Sequence, residues 1–338
     1  MRRWLEAVWY GEGTGGGLLR PLGALFAALV GLRRRLFAAG VLPRRDVGAP
    51  VIVVGNINVG GTGKTPLTLW LARRLAERGR RPGIVSRGYG GDPGPRPLRV
   101  EAGSDPGRVG DEALIFARHA GCPVYVHPDR VAAARAAVAA GADVVLSDDG
   151  LQHYRLARDV EIAVIDFDRG LGNRRCLPAG PLREPPERLD TVDQVFSQGL
   201  TGIDHAIGFT LRPEGAVNLA DGSRRELGDF AGQAVYAIAG IGNPARFFRM
   251  LRDAGLKVID HPLADHAEPS KEELDPPDTL PVFMTEKDAV KVADRAGRRH
   301  WYVPVSVEID AASAAGFLER LDERLDERLD ERRDARSG

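Results

Sequence analysis

The sequence predicts an α/β protein: a P-loop-type, doubly wound and mostly parallel sheet, preceded by an N-terminal membrane-associated helix and followed by a second, smaller α/β domain. Three observations carry that expectation. The apolar run "VIVVG" (51–55) leads straight into the glycine-rich turn "NVGGTGKTP" (58–66) and then into a stretch with helical apolar spacing. Short β-branched runs then alternate with helical patterns, as parallel sheets require. A chain of 338 residues, 43% of them hydrophobic, also exceeds the usual size of one domain.

The elements follow in order. Residues 1–47 form a basic, apolar segment: "LGALFAALVGL" (22–32) lies between Arg20 and the triplet Arg33, Arg34 and Arg35. Eleven apolar residues are too few to span a bilayer, but with Trp4, Trp9 and Tyr10 upstream they suit a helix lying on an anionic one. The main domain is expected over 48–208, with strands at 51–55, 83–86, 124–126, 143–147 and 161–166. Helices are expected from Pro66 to Glu77, with Gly79 as the stop, and from about Arg130 to Ala140. The polar, glycine-rich stretch 209–233 reads as a linker. A smaller α/β domain (234–310) follows, with strands at 234–239 and near 256–260, 281–284 and 301–307, and a helix at 244–254. The tail 311–338, with its repeated "LDER", reads as a charged, solvated helix that frays and has no catalytic role.

Charge narrows the function. Lys+Arg and Asp+Glu balance at 47 each, so nothing global favours nucleic acid. The first 45 residues nevertheless hold eight arginines against two glutamates. The two cysteines, Cys122 and Cys176, lack metal-ligand spacing, and no secretory signal is recognisable, so a reducing cytosolic setting is expected. Only five of the 47 basic residues are lysine, which makes Lys64 in the glycine-rich turn conspicuous. An ammonium is a compact point charge that fits among phosphate oxygens.

The turn departs from G-x-x-x-x-G-K-[ST] only at its first position, Asn58. A phosphate cradle needs a Cβ-poor turn of converging N–H groups, a helix N-terminus, a lysine and a hydroxyl for Mg²⁺. The run Asn58, Val59, Gly60, Gly61, Thr62, Gly63, Lys64 and Thr65 meets these needs. Asn58 is expected to serve at the turn because asparagine tolerates left-handed angles, and Pro66 falls where an N–H is expendable. A metal-organising carboxylate is expected at a neighbouring strand end. "DVVLSDDG" supplies Asp148 and Asp149 and is favoured over the rival pair Asp166 and Asp168. Arg87, Tyr89, Asp111, Glu112, Arg130, Gln152, His153, Arg183 and Glu184 lie in loops after predicted strands, more polar groups than turns require.

Read together, "GNINVGGTGKTP", "SRGYGG", "VGDEA", "HPDR", "DDGLQH", "GNRRCLPAGPLREP", "ADH" and "MTEKDAVK", in order from Gly55 to Lys291, resemble the tetraacyldisaccharide 4′-kinases. The resemblance implies ATP- and Mg²⁺-dependent phosphorylation of the 4′-hydroxyl of an acylated glucosamine disaccharide 1-phosphate, giving lipid IVA for lipopolysaccharide. It implies a peripheral protein on the cytoplasmic face of the bacterial inner membrane, with no nucleic-acid partner and an unspecified oligomeric state. By the same resemblance Lys64 and Thr65 contact phosphate and Mg²⁺, and Asp148 and Asp149 organise the metal. Asp111 is the catalytic carboxylate assisted by His266, and Arg183 stabilises charge. Arg87, Tyr89, Arg130, Gln152, His153 and Glu184 surround the headgroup. The alternative is a ParA/MinD-like membrane ATPase, whose signature lysine would stand where Val59 does. A non-enzymatic nucleotide-gated scaffold would have no use for Asp111, Arg183 and His266.

Overall fold

The computed structural model describes residues 2–11, 16–199, 203, 205–264 and 267–337. The strands, in chain order, are β1 (Val51–Gly55), β2 (Pro82–Ser86), β3 (Leu98–Arg99), β4 (Val124–Val126), β5 (Val144–Asp148), β6 (Val160–Asp166), β7 (Gln194–Gln198), β8 (Ile207–Pro213), β9 (Ala216–Asn218), β10 (Arg224–Arg225), β11 (Ala234–Ala239), β12 (Lys257–Pro262), β13 (Val282–Thr285), β14 (His300–Val303) and β15 (Val305–Ile309). The helices are α1 (Arg2–Trp9), α2 (Arg20–Ala38), α3 (Lys64–Glu77), α4 (Pro106–Val109), α5 (Asp111–His119), α6 (Arg130–Ala139), α7 (Pro244–Asp253), α8 (Lys271–Leu274), α9 (Glu286–Val292) and α10 (Ala311–Ser337).

Nine strands build the first sheet in the order β15-β8-β7-β6-β1-β5-β2-β4-β3, parallel except at the two edges, where β15 and β3 run antiparallel to their neighbours. Helices cover both faces, and so each inner strand is apolar on both sides: every residue of β1, β2 and β5 is buried. One face packs on α3, α5 and α10 through Leu67, Leu71, Leu75, Phe116, Phe317 and Leu321. The other packs on α6 and α2 through Val131, Ala134, Ala137 and the half-buried Phe26. Strand order reverses at β1, since β5 lies on one side of it and β6 on the other. The carboxyl end of β1 is therefore the switch point at which doubly wound sheets leave a crevice.

The second lobe is a six-stranded sheet, β10-β9-β14-β13-β11-β12, with its own two-faced core. The chain passes between the lobes twice. Residues 209–233, expected as a linker, instead place β8 in the first sheet and β9 and β10 in the second. The single strand expected near 301–307 is split at Pro304: β14 belongs to the second sheet and β15 to the first. Proline lacks the N–H that a continuous ladder needs, so the break falls there. The two crossings are joined where Glu214 N donates to Pro304 O at 2.9 Å.

The C-terminal helix also differs from expectation. In α10, Phe317, Leu318, Leu321 and Leu325 are buried against the first lobe, with Phe317 edge-on to Phe196 at 5.0 Å between ring centroids. Arg78 and Arg80 on the lobe pair with Asp322 and Asp326 on α10 at 2.5 and 2.6 Å.

Candidate active site

The loop after β1 follows from where its glycines fall. Gly60 (φ 107°) and Gly63 (φ 85°) take the left-handed angles, and Gly63 caps α3. Asn58 does not; the left-handed role expected of it is corrected. It instead donates through its side chain to Gly170 O at 2.8 Å and bridges to Leu182. Residues 58–59 are held against the 181–183 segment, with Val59 N donating to Pro181 O at 2.9 Å. Asn56, which sequence reasoning passed over, is fully buried and braces the turn from beneath, donating to Gly60 O (3.1 Å) and Thr62 Oγ1 (3.3 Å). Pro66 occupies the first turn of α3, and Thr65 faces the interlobe cleft.

Lys64 Nζ lies 3.5 Å from Asp149 Oδ1, and Arg183 Nη1 donates to both oxygens of Asp149 at 3.1 Å. Asp149 itself adopts φ 48°, turning its side chain away from the line of β5. Burial alone would raise its pKa, but Lys64 and Arg183 outweigh that and hold the carboxyl well below its usual range. Asp148 is the opposite case. It is almost wholly buried, both carboxylate oxygens lack a hydrogen-bond partner, and burial pushes its pKa up, with Glu112 and Asp149 adding to the rise. Buried oxygens left without donors cost free energy unless something else satisfies them.

Those orphaned oxygens are the observation that fits a divalent cation. Two carboxylates and the Thr65 hydroxyl are hard oxygen donors. Among the described residues no cluster of three or more His, Cys, Asp or Glu side chains forms a closed metal cage. Mg²⁺ suits such an open set, since it takes one or two protein carboxylates together with phosphate and water. Asp166 and Asp168, the rival pair, are engaged elsewhere: Arg246 of α7 pairs with both, and Asn243 donates to Asp166 Oδ2 at 3.2 Å.

The remaining sequence candidates are distributed around this cluster. Arg87 and Tyr89 are exposed on the loop after β2. Arg130, in α6 behind its cap Asp129, is buried and donates to His127 O and Asp148 O at 3.3 and 3.4 Å. Gln152 Nε2 donates to Asn56 O (3.1 Å) and Glu184 Oε1 (2.8 Å). Glu184 is buried and also engages Tyr154 and Arg188, so its carboxylate braces the loop from below. His153 is half-buried with its pKa lowered to about 4 by burial, Arg130 and Arg158, so it is neutral across the physiological range. Asp111 opens α5 and is only 7% exposed; its Oδ1 accepts from Glu112 N at 2.9 Å. His266 lies outside the described residues.

Facing the phosphate loop and α3, the second lobe closes a cleft of about 990 Å³ whose walls include Lys64, Thr65, Trp70, Gln198, Asn243, Arg246 and Lys287. The turn after β11 sits on the phosphate loop itself: a Cβ at Gly242 would lie 2.2 Å from Gly61 N.

A glycine cradle at a switch point, a lysine at a helix N-terminus and orphaned strand-end carboxylates together define a P-loop nucleotide-binding protein of two lobes. The chain belongs to the tetraacyldisaccharide-1-P 4′-kinase (LpxK) family, which it matches over residues 16–326. It is 54% identical over 295 residues to the tetraacyldisaccharide 4′-kinase of Alkalilimnicola ehrlichii, covering 87% of this chain and 89% of that one. It is 49% identical over 323 residues to the tetraacyldisaccharide 4′-kinase of Pseudomonas paraeruginosa, covering 94% and 97%. Its structure resembles the crystal structure of LpxK from Aquifex aeolicus in complex with ATP, with a TM-score of 0.74 and 27% identity over 92% of this chain and 99% of that one.

Proposed function

We propose that this chain transfers the γ-phosphoryl group of ATP to the 4′-hydroxyl of tetraacyldisaccharide 1-phosphate, giving lipid IVA, at the cytoplasmic face of the bacterial inner membrane. The observation that carries this reading is the convergence at the ends of β1 and β5: Lys64, Asp149 and Arg183 form one ion-paired group, and the Asp148 carboxyl feels Lys64, Arg130 and Glu112.

Phosphoryl transfer needs positioning and charge stabilisation more than covalent chemistry. The N–H groups of residues 60–65 and the α3 N-terminus bind the phosphates, the Val59 N–H being taken by Pro181 O, and the Lys64 ammonium opposes the charge that develops on them. Thr65, Asp148 and Asp149 would hold Mg²⁺, which when bound neutralises phosphate charge. Arg183, fixed through Asp149, stabilises charge on the transferring group. Asp111 takes the proton of the acceptor hydroxyl, assisted by His266 of the second lobe. Arg87, Tyr89, Arg130, Gln152 and His153 recognise the sugar and phosphate headgroup, with Glu184 orienting Gln152.

Membrane contact rests on α2. Leu18, Leu22, Leu25, Leu29 and Leu32 are 53–87% exposed along one stripe, an apolar face that a soluble surface rarely presents. The opposite face is packed: a Cβ at Gly23 would lie 2.7 Å from Ala179 Cβ. From Gly16 to Ala38 the helical segment is also long and apolar enough to cross a bilayer. The arginines at 20 and 33–35 and its contact with the 176–179 loop favour its lying on the surface instead. Arg33 donates to Gln152 O at 3.2 Å, which links this helix directly to the site loop.

The test is incubation with Mg-ATP and tetraacyldisaccharide 1-phosphate in detergent micelles, scored by mass. One added phosphate and acceptor-dependent ATP turnover are expected. ATP turnover indifferent to the lipid, with no phosphorylated product, would instead favour the ParA/MinD-like reading. Asp111→Ala and His266→Ala should each lower kcat about 10²-fold with ATP binding retained, and the double variant should be little worse than either.

A further inference from the structure

The motif "MTEKDAVK" ends β13 and forms α9, and the chemistry above leaves its charged residues without a part. Thr285, Glu286 and Lys287 line the cleft, and α9 lies against α5 of the first lobe. Three polar links join the two helices. His119 Nε2 is 2.5 Å from Glu286 Oε1, Lys287 Nζ donates to Glu112 Oε1 at 3.0 Å, and Lys291 Nζ lies 3.8 Å from Asp111 Oδ2.

Lys291 is the distinctive member. Its side chain is 11% exposed, and its ammonium also donates to Asp288 Oδ1 (3.0 Å) and to Ala267 O (3.1 Å). Two of its hydrogen bonds go to Asp288 and Ala267, and Asp111 Oδ2 stands at ion-pair distance, 3.8 Å away. Asp288 is fully buried and already accepts from Gly240 N (2.9 Å) and Thr285 Oγ1 (2.6 Å), so it does not depend on the lysine alone. A purely structural partner for Asp288 would have no need to reach Asp111. Ala267 directly follows the "ADH" motif in the sequence.

We propose that Lys291 is a positioning residue for the acceptor base: held by Asp288, its ammonium orients the Asp111 carboxylate, keeps it deprotonated, and ties it to the seating of the second lobe on the first. This rests on the reading of Asp111 as the base. In that step the acceptor O–H bond breaks, its proton passes to Asp111, the new O–P bond forms and the old bridging bond breaks towards ADP; Lys291 keeps its protons throughout. An opposite charge at this separation lowers a carboxyl pKa by roughly 1–3 units. Among the described residues, the neighbouring charges are Glu112, next to Asp111 on α5 and itself paired with Lys287, and Asp288 on α9, which shares the Lys291 ammonium.

The test compares Lys291→Met, the double variant Lys291→Met/Asp288→Asn and Asp111→Asn in the full chain with Mg-ATP and the lipid acceptor in micelles. The double variant avoids stranding a buried carboxylate should Lys291→Met alone fail to fold. For the folded Lys291 variants, kcat should fall roughly 10²-fold while the KM for ATP changes less than about twofold. The acid limb of kcat should move up by about one unit or more. Added ethylamine should restore part of kcat to Lys291→Ala. A folded double variant with normal kcat and an unmoved acid limb overturns the proposal. If Asp111→Asn loses activity in that same experiment, only the role of Lys291 falls; if Asp111→Asn keeps normal kcat, the base assignment falls and the proposal with it.

Discussion

At the residue scale, the two strand-end aspartates show how neighbouring positions acquire opposite electrostatics. Asp148 continues β5 into the interior and loses its solvent, whereas Asp149 turns through a left-handed angle onto Lys64 and Arg183. Lys64→Ala should leave the fold intact and lower turnover about 10²-fold or more, as expected for losing a preorganised charge; near-normal turnover of the folded variant would remove the P-loop assignment. His153 offers a pH test. Its folded pKa of about 4 lies below its ordinary 6.5, because burial, Arg130 and Arg158 disfavour the charged ring. The unfolded chain therefore binds a proton that the folded chain refuses. Stability from this group is full above the ordinary pKa and is lost as pH falls towards 4. Melting temperatures of wild type and His153→Gln should run parallel above that window and diverge within it, with the wild type falling faster; parallel curves throughout would mean the imidazole ionises freely in the folded state.

At the element scale, α2 has two faces with separate consequences. Replacing Leu22, Leu25 and Leu29 by serine should weaken flotation with anionic vesicles and raise the apparent KM for lipid acceptor, with little change in melting temperature. Phe26, one position from Leu25, packs against the first-lobe core, so Phe26→Ser should instead lower the melting temperature. If the triple serine variant still floats, the exposed stripe has another purpose. The Gly240–Asn243 turn makes a second element-scale prediction. Gly242→Ala would drive a methyl into the Gly61 backbone, so the lobes should seat poorly and the KM for ATP should rise, seen as weaker protection from thermal unfolding by ATP.

At the scale of the molecule, α10 straps the first lobe shut behind the sheet. Phe317 fills the space between Trp70 of α3 and Phe196 of β7, so Phe317→Ala should cost about 3–5 kcal/mol in chemical denaturation. The exposed Arg–Asp pairs along the helix should each contribute at most about 1 kcal/mol. A loss below that for Phe317→Ala would mean the helix is held by its charges rather than its apolar seam. The "LDER" repeat disguised this seam. Each four-residue step turns an α-helix about 40° past a full turn, so Leu321 and Leu325 are buried while Leu329 drifts half out, and the pattern reads as a solvated face.

The chain alone determined the strand–turn–helix at 51–77, the five buried strands of the first lobe and the identity of the phosphate loop. Those features are set by local physics: unbroken apolar runs, glycines where φ must be positive, and a lysine at a helix start. The sequence also placed α6 and, in the second lobe, β11, α7, β12 and β13. Only the tertiary structure decided how the chain crosses between the lobes and which side chains meet. The short strands at 194–198 and 207–213 carry too little periodicity to be read without partners, and nothing local marks Pro304 as the point where one run changes sheets. Arg246 and Lys291 gain their meaning from partners 80 and 180 residues away in sequence. A site made at the meeting of two lobes is defined by distances in space, and spacing along the chain does not encode them.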